Sequence, residues 1–170
     1  MSQNMIGQGK AAGPHLVEGE VTARGRHVAI AAARFNDFIV ASLLEGAVAA
    51  WGARGGGPDD LLVVRVPGAF ELPVAARKLA VSGRFDAVVA LGAVIRGDTP
   101  HFEYVSGECA RGLTLVSLET GVPVIFGVLT VNTTEQALER AAVKGMNKGG
   151  EALETALEMA DLFQKLQQRV

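Results

Sequence analysis

The residues best suited to chemistry in this chain lie in one stretch, LGAVIRGDTPHFEYV, at positions 91–105. An apolar run there breaks at a Gly-Asp-Thr-Pro loop, and a helix-like segment follows with His101 at its start. The first backbone N–H groups of a helix have no partner within it, and the helix dipole places positive charge at the same end. The stretch therefore predicts a small anionic substrate held beside an imidazole that transfers protons.

Other polar and aromatic side chains also follow apolar runs directly. Phe35 comes after one such run, and Phe70 and Glu71 come after the next. Phenyl rings at these positions could stack on a flat ligand ring, and a carboxylate could accept hydrogen bonds from substrate hydroxyl or N–H groups. Plainer interpretations stay open: the rings could plug the end of a sheet, Glu71 could simply favour a helix N-terminus, and His101 could be a capping residue.

Cationic and sulfur-containing side chains are less informative. Arg140, Lys144 and Lys148 could belong to a solvated helix face, although a guanidinium is also well suited to bind phosphate. Cys109 falls on an apolar helical stripe, so we expect it to pack rather than to react. The sequence shows no metal-ligand spacing, no dinucleotide-binding motif and no P-loop, so no metal is expected.

Composition and charge limit the class of protein. The chain has 170 residues with 16 Lys and Arg against 18 Asp and Glu, a net charge of −2 that argues against a nucleic-acid partner. No apolar run reaches the roughly 20 residues of a membrane span, and the N-terminus lacks a signal-peptide pattern, so we expect a cytoplasmic protein without a membrane partner. Residues 1–14 are polar and Gly-rich and are predicted to be disordered, which leaves 15–170 as a single domain.

The elements that must position these side chains alternate between strand and helix. The predicted strands are 27–33, 61–66, 87–95 and 122–131, each followed by a helical segment. This order predicts a flavodoxin-like, three-layer α/β/α sandwich around a four-stranded parallel sheet. A fifth, alternating segment at 16–21 could add as an edge strand, to a neighbouring subunit.

In such sheets ligands bind at the carboxyl ends of the strands, which is where the candidate side chains fall. Capping signals there predict how the helices begin. Asn36 or Asp37 is the expected cap of the first helix, and Thr99 that of the helix carrying His101. The segment 132–135 is the expected capping box of a later helix.

Taken together, the motifs resemble those of the lumazine synthase family, the 6,7-dimethyl-8-ribityllumazine synthases. The resemblance covers roughly residues 15–165, in order and with the spacing of the family. The stretches that carry it are RFND at 34–37, PGAFELP at 67–73, ALGAVIRGDTPHFEYV at 90–105, PVIFGVLTVNTTEQALERA at 123–141 and NKGGEA at 147–152.

The resemblance implies a transferase of riboflavin biosynthesis that needs no metal and no organic cofactor. Its reaction would be the condensation of 5-amino-6-(D-ribitylamino)uracil with 3,4-dihydroxy-2-butanone 4-phosphate, which yields 6,7-dimethyl-8-ribityllumazine, phosphate and water. Two alternatives without turnover stay open: a flavin- or lumazine-binding protein of the same fold, and a cage-forming protein.

The family pattern also assigns roles to residues. His101 would transfer protons, and the phosphate substrate would be bound by Asp98, Thr99 and Arg140, with Asp98 contributing its backbone N–H. Asn36 and Lys144 would lie nearby. The ribitylaminouracil would be bound by eight residues, namely Phe35, Ala69, Phe70, Glu71, Ala93, Val94, Ile95 and Phe126.

The family further implies a homopentamer, with a 60-subunit shell of twelve pentamers in some members and riboflavin synthase as a further partner. One parallel sheet does not easily present its edge loops and its fourth strand to the same pocket. We therefore expect Phe126 and Arg140 to reach the pocket of a neighbouring subunit.

Overall fold

The computed structural model describes residues 13–169, so residues 1–12 of the segment 1–14 that is predicted to be disordered lie outside that range. Strands and α-helices alternate along the described chain as far as β4, which two helices follow. In chain order they are β1 Val28–Ala33, α1 Asp37–Ala53, β2 Leu61–Val66, α2 Leu72–Ala80, β3 Ala87–Ile95, α3 His101–Thr120, β4 Val124–Val131, α4 Thr134–Ala141 and α5 Lys148–Gln167.

The four strands form one parallel sheet in the order β2-β1-β3-β4. The central strands β1 and β3 are almost wholly buried, as their continuous apolar sequences predict. One core cluster packs α1, α4 and α5 on one face of the sheet, and a second packs α2 and α3 on the other. The predicted flavodoxin-like α/β/α sandwich is thus confirmed, and all four strands point their carboxyl ends to the same edge.

The N-terminal segment 13–23 forms no strand within this chain, and its residues 18–20 contact α5. Its anchor is Asp161, whose Oδ2 accepts the backbone N–H of Glu20 at 2.8 Å and whose Oδ1 accepts Nη2 of Arg26 at 2.6 Å. Arg26 and Asp161 are both buried, and Lys165 adds a third contact to the carboxylate at 2.8 Å. The pairing of 16–21 with a neighbouring subunit stays a prediction.

The Asp161 anchor should make the protein sensitive to acid. The Lys165 hydrogen bond, with help from the Glu20 N–H and from Arg26, holds the pKa of Asp161 below its usual value, although burial opposes the shift. A carboxyl group whose pKa is lowered on folding contributes stability above its unfolded pKa and loses it as the pH falls through the folded pKa. Asp161→Asn should therefore destabilise the neutral-pH protein by about 3–5 kcal/mol and flatten the acid dependence of unfolding.

Urea unfolding measured at a series of pH values checks this expectation. Glu154→Gln is the matched control, because it weakens an exposed ion pair with Arg54 and should cost less than about 1 kcal/mol. Equal losses in the two variants, or an unchanged acid limb in Asp161→Asn, would contradict the anchor.

The predicted capping box of α4 is wrong by one residue. Thr133, in extended conformation with φ −136°, is the N-cap, and its hydroxyl accepts the backbone N–H of Gln136 at 3.2 Å. The Gln136 side chain in turn accepts the backbone N–H of Asn132 at 2.9 Å. The motif therefore uses Thr133 and Gln136, and the Gln136 side chain binds the residue before the N-cap and not the N-cap itself.

Candidate active site

A cleft of about 640 Å³ opens at the carboxyl edge of the sheet. Its volume falls in the range of roughly 300–1,000 Å³ that is usual for small-molecule sites. The walls come from the ends of β1 and β3, the turn after β2, and the first turns of α3. The lining residues are Phe35, Asn36, Pro67, Gly68, Ala69, Phe70, Glu71, Ala93, Val94, Ile95, Gly97, Thr99, His101, Phe102, Tyr104 and Val105.

Two phenyl rings stand exposed at this cleft. Phe35 is 72% exposed and Phe70 is 57% exposed, so neither ring plugs the end of the sheet. Phe35 is held by its backbone N–H, which donates to the carbonyl oxygen of Pro67 at 3.0 Å. Exposed rings on a fixed backbone offer flat apolar faces on which a planar heterocycle can stack.

Asn36 is the N-cap residue of α1, as predicted, but its side chain links two walls of the cleft. It adopts the left-handed conformation, with φ 58° and ψ 44°, and its side chain makes no capping hydrogen bond. Its Nδ2 instead donates to the carbonyl oxygen of Ala93 at 2.9 Å, across to β3. The predicted N-cap position is therefore confirmed, but the side-chain capping bond is not formed, because the Asn36 amide connects the loop after β1 to β3.

The start of α3 carries the candidate proton-transfer residue. The helix begins at His101 with Pro100 as its N-cap and without a side-chain cap, so the predicted Thr99 cap is also wrong. Freed from capping, Thr99 lines the cleft together with Gly97 and His101. Since the first-turn N–H groups of a helix favour an anion, this corner can hold a negatively charged group beside the imidazole.

Four predicted site residues do not line the cleft of this chain. Asp98 and Lys144 are exposed outside it. Phe126 lies on β4 beside a second, smaller pocket of about 340 Å³ against α5. Arg140 lies on α4, where its Nη1 donates to the carbonyl oxygen of Gln136 at 3.1 Å. The structure thus brings together the edge-loop residues but keeps Phe126 and Arg140 apart from them.

The sequence prediction missed part of the α3 wall. Phe102, Tyr104 and Val105 line the cleft, and Tyr104 is 69% exposed. Tyr104 and Val105 stand three and four residues after His101, the spacing that places side chains on the same side of a helix. That spacing was the signal that could have found them.

Cys109 takes no part in the cleft. Its side chain is fully buried in the core between α3 and the sheet, and burial raises the pKa of its thiol to about 11. Residues 13–169 contain no group of three His, Cys, Asp or Glu side chains that could hold a metal ion. Over the same residues, no helix is long and apolar enough to cross a membrane.

Fold and cleft together define a flavodoxin-like α/β protein with a small-molecule site at the carboxyl edge of its sheet. The family model described as 6,7-dimethyl-8-ribityllumazine synthase matches residues 25–164. A 6,7-dimethyl-8-ribityllumazine synthase of Syntrophus aciditrophicus (strain SB) is 56% identical over 153 residues, which cover 90% of this chain and 99% of that protein. The chain therefore belongs to the 6,7-dimethyl-8-ribityllumazine synthase family, and the resemblance found in its motifs is confirmed.

Proposed function

We propose that this chain is a transferase that condenses 5-amino-6-(D-ribitylamino)uracil with 3,4-dihydroxy-2-butanone 4-phosphate to form 6,7-dimethyl-8-ribityllumazine. The family match over residues 25–164 carries the proposal. The cleft supports it, because it joins exposed aromatic rings, a carboxylate and an imidazole within one largely apolar space. Such a space suits a flat, polar pyrimidine and a small phosphate ester.

The reaction is a sequence of additions and eliminations that move protons. The ring amine adds to the ketone carbonyl and water leaves, which gives an imine. Loss of a carbon-bound proton then expels the phosphate with its C–O electron pair, and the resulting enol becomes a ketone. The ribitylamino nitrogen adds to that ketone, and loss of a second water closes the ring. His101, at the N-terminus of α3, is placed to donate and accept these protons.

Charge in the cleft favours a second chain in the site. Among the described residues that line the cleft none is Lys or Arg, and the one carboxylate is Glu71. A phosphate dianion needs more compensation than a helix N-terminus supplies, because the dipole amounts to only about half a charge. The missing cation is Arg140 of a neighbouring subunit, joined there by Phe126, which closes the aromatic side of the pocket.

The family resemblance implies a homopentamer, and this assembly would supply the second chain if each cleft lies between adjacent subunits. The half-exposed edge strand β2 is open to receive the segment 16–21 of a neighbour. Light scattering should give about 89 kDa for five chains of 17.7 kDa, whereas a shell of twelve pentamers would be twelve times heavier. Co-purification of this chain with riboflavin synthase tests whether that enzyme is a partner, as the family resemblance implies.

A turnover assay tests the function itself. The purified chain is mixed with both substrates, and lumazine fluorescence and inorganic phosphate are followed together, with each substrate omitted in turn as the control. Equal amounts of lumazine and phosphate are expected. Tight binding of the lumazine or of a flavin without phosphate release would instead identify a binding protein without turnover.

A further inference from the structure

Arg96 is the last residue before the loop that leads to His101, and its side chain reaches beyond that loop. One guanidinium nitrogen is ion-paired with Glu103 in the first turn of α3. The Nε donates to Oδ1 of Asn132, just after β4, at 3.0 Å. The guanidinium carbon also lies 4.2 Å from the ring centroid of Phe102, which lines the cleft.

Through these contacts the Arg96 side chain connects the two ends of the loop between β3 and α3. The backbone leaves β3 at Arg96, passes through Gly97, the Asp-Thr-Pro segment and His101, and returns to the Arg96 side chain at Phe102 and Glu103. The hydrogen bond from Arg96 holds the pKa of Glu103 below its usual value. An exposed ion pair alone contributes little. The Arg96 guanidinium, however, pairs with Glu103, donates to Asn132 and stacks on Phe102 at the same time. Because the group is planar, these contacts fix its orientation, which an ammonium group could not do.

The same contacts reach the helix that carries Arg140. Asn132, which accepts from Arg96, donates its backbone N–H to the Gln136 side chain at 2.9 Å. Gln136 lies in α4, and its carbonyl oxygen accepts from Arg140 at 3.1 Å. Arg96 is thus in contact with both the His101 corner and the residue that leads into α4.

We propose that Arg96 is a positioning residue for the reaction, which holds the 97–100 loop and His101 in the geometry that binds the phosphate ester and transfers protons. This inference rests on the proposed function. Arg96 does not line the cleft itself. It acts from behind the cleft wall, through Phe102, Glu103 and Asn132.

Arg96→Met retains a long side chain but removes the charge and the donors. Because displacement of a reacting group by about 1 Å can cost 100-fold, we expect kcat to fall about 10- to 100-fold and KM for the butanone phosphate to rise. KM for the pyrimidine should stay near that of the unaltered protein, because Phe35 and Glu71 belong to other loops. Arg96→Lys should recover only part of the loss, since it keeps the charge without the planar fork.

Arg84→Met is the matched control. Arg84 also stacks on a phenyl ring, with its guanidinium carbon 5.6 Å from the Phe85 centroid, but it precedes β3 at the opposite edge of the sheet. Its kinetics should equal those of the unaltered protein. Thermal unfolding and light scattering show whether each variant is folded and assembled. If Arg96→Met is not, the kinetics of Arg96→Lys and Glu103→Gln decide whether Arg96 positions the loop.

The outcomes separate the two proposals. Absence of turnover in the unaltered chain defeats the proposed function. If the unaltered chain turns over, two results would contradict the role of Arg96. Either the Arg96 variants have the kinetics of the unaltered chain, or they raise both KM values equally. A selective effect on kcat and on the phosphate substrate supports it.

Discussion

Replacing His101 with alanine is expected to lower kcat by about 10²–10⁴-fold and to leave both KM values nearly unchanged. The reason is that an imidazole at the N-terminus of α3 assists proton transfers but contributes little to substrate binding. Turnover should be slowed and not abolished, because holding two reactants together can lower the barrier by roughly 7–11 kcal/mol at best without any acid or base. Steady-state kinetics with each substrate varied in turn give the measurement.

His27→Ala is the control for the loss of an imidazole. His27 lies just before β1, at the amino edge of the sheet, where its Nε2 is 3.3 Å from Asp60. Its kinetics should match those of the unaltered chain. Complete loss of turnover in a folded His101→Ala protein with unchanged substrate affinity would contradict the account, and so would undiminished kcat.

Replacing Arg140 with alanine is expected to weaken the phosphate substrate selectively, with KM raised about 100-fold. A guanidinium paired with a phosphate makes charge-assisted hydrogen bonds of about 1.5–3 kcal/mol each, and about 2.7 kcal/mol corresponds to that factor. Within residues 13–169 the Arg140 side chain is bound to its own helix, through Gln136 at 3.1 Å and through Glu139 at 3.8 Å. It can exchange these contacts for a phosphate at small cost.

KM for the pyrimidine should not change in Arg140→Ala, and Arg140→Lys should lie between the two proteins, because an ammonium keeps the charge without the bidentate geometry. Arg111→Ala serves as the control: Arg111 is an exposed helical arginine paired with Glu108 at 3.1 Å. Unchanged affinity for the phosphate substrate in Arg140→Ala would refute the assignment.

Strand and helix positions were largely predictable from the sequence. The predicted bounds of β2 and β3 agree with the structure, since these apolar runs are flanked by Pro or charged residues. The order of the strands was not accessible in the same way. The apolar sequence of β2 is typical of a central strand, yet β2 lies at the edge of the sheet and is half exposed. Tertiary packing, which local sequence does not encode, decides which strand has a neighbour on both sides.

Local conformation limited the prediction of the site. Asn36 and Thr99 are residue types that commonly cap helices, but Asn36 caps α1 in the left-handed conformation without a side-chain bond, and Pro100 takes the N-cap of α3, so both side chains line the cleft. Residue type does not reveal such backbone choices. Phe126 and Arg140 lie outside the cleft of this chain, and their predicted place in the cleft of a neighbouring subunit rests on the proposed assembly.

The central claim is that two chains share each cleft, one presenting His101 and the other Arg140. Its most direct test is to co-express His101→Ala and Arg140→Ala chains and to compare the mixed oligomer with each variant alone, at low concentration of the phosphate substrate. Random assembly should rebuild about a quarter of the clefts with both residues intact, so activity should rise well above that of either variant. Activity no greater than the average of the two separate variants, in oligomers shown to contain both chains, would contradict the claim.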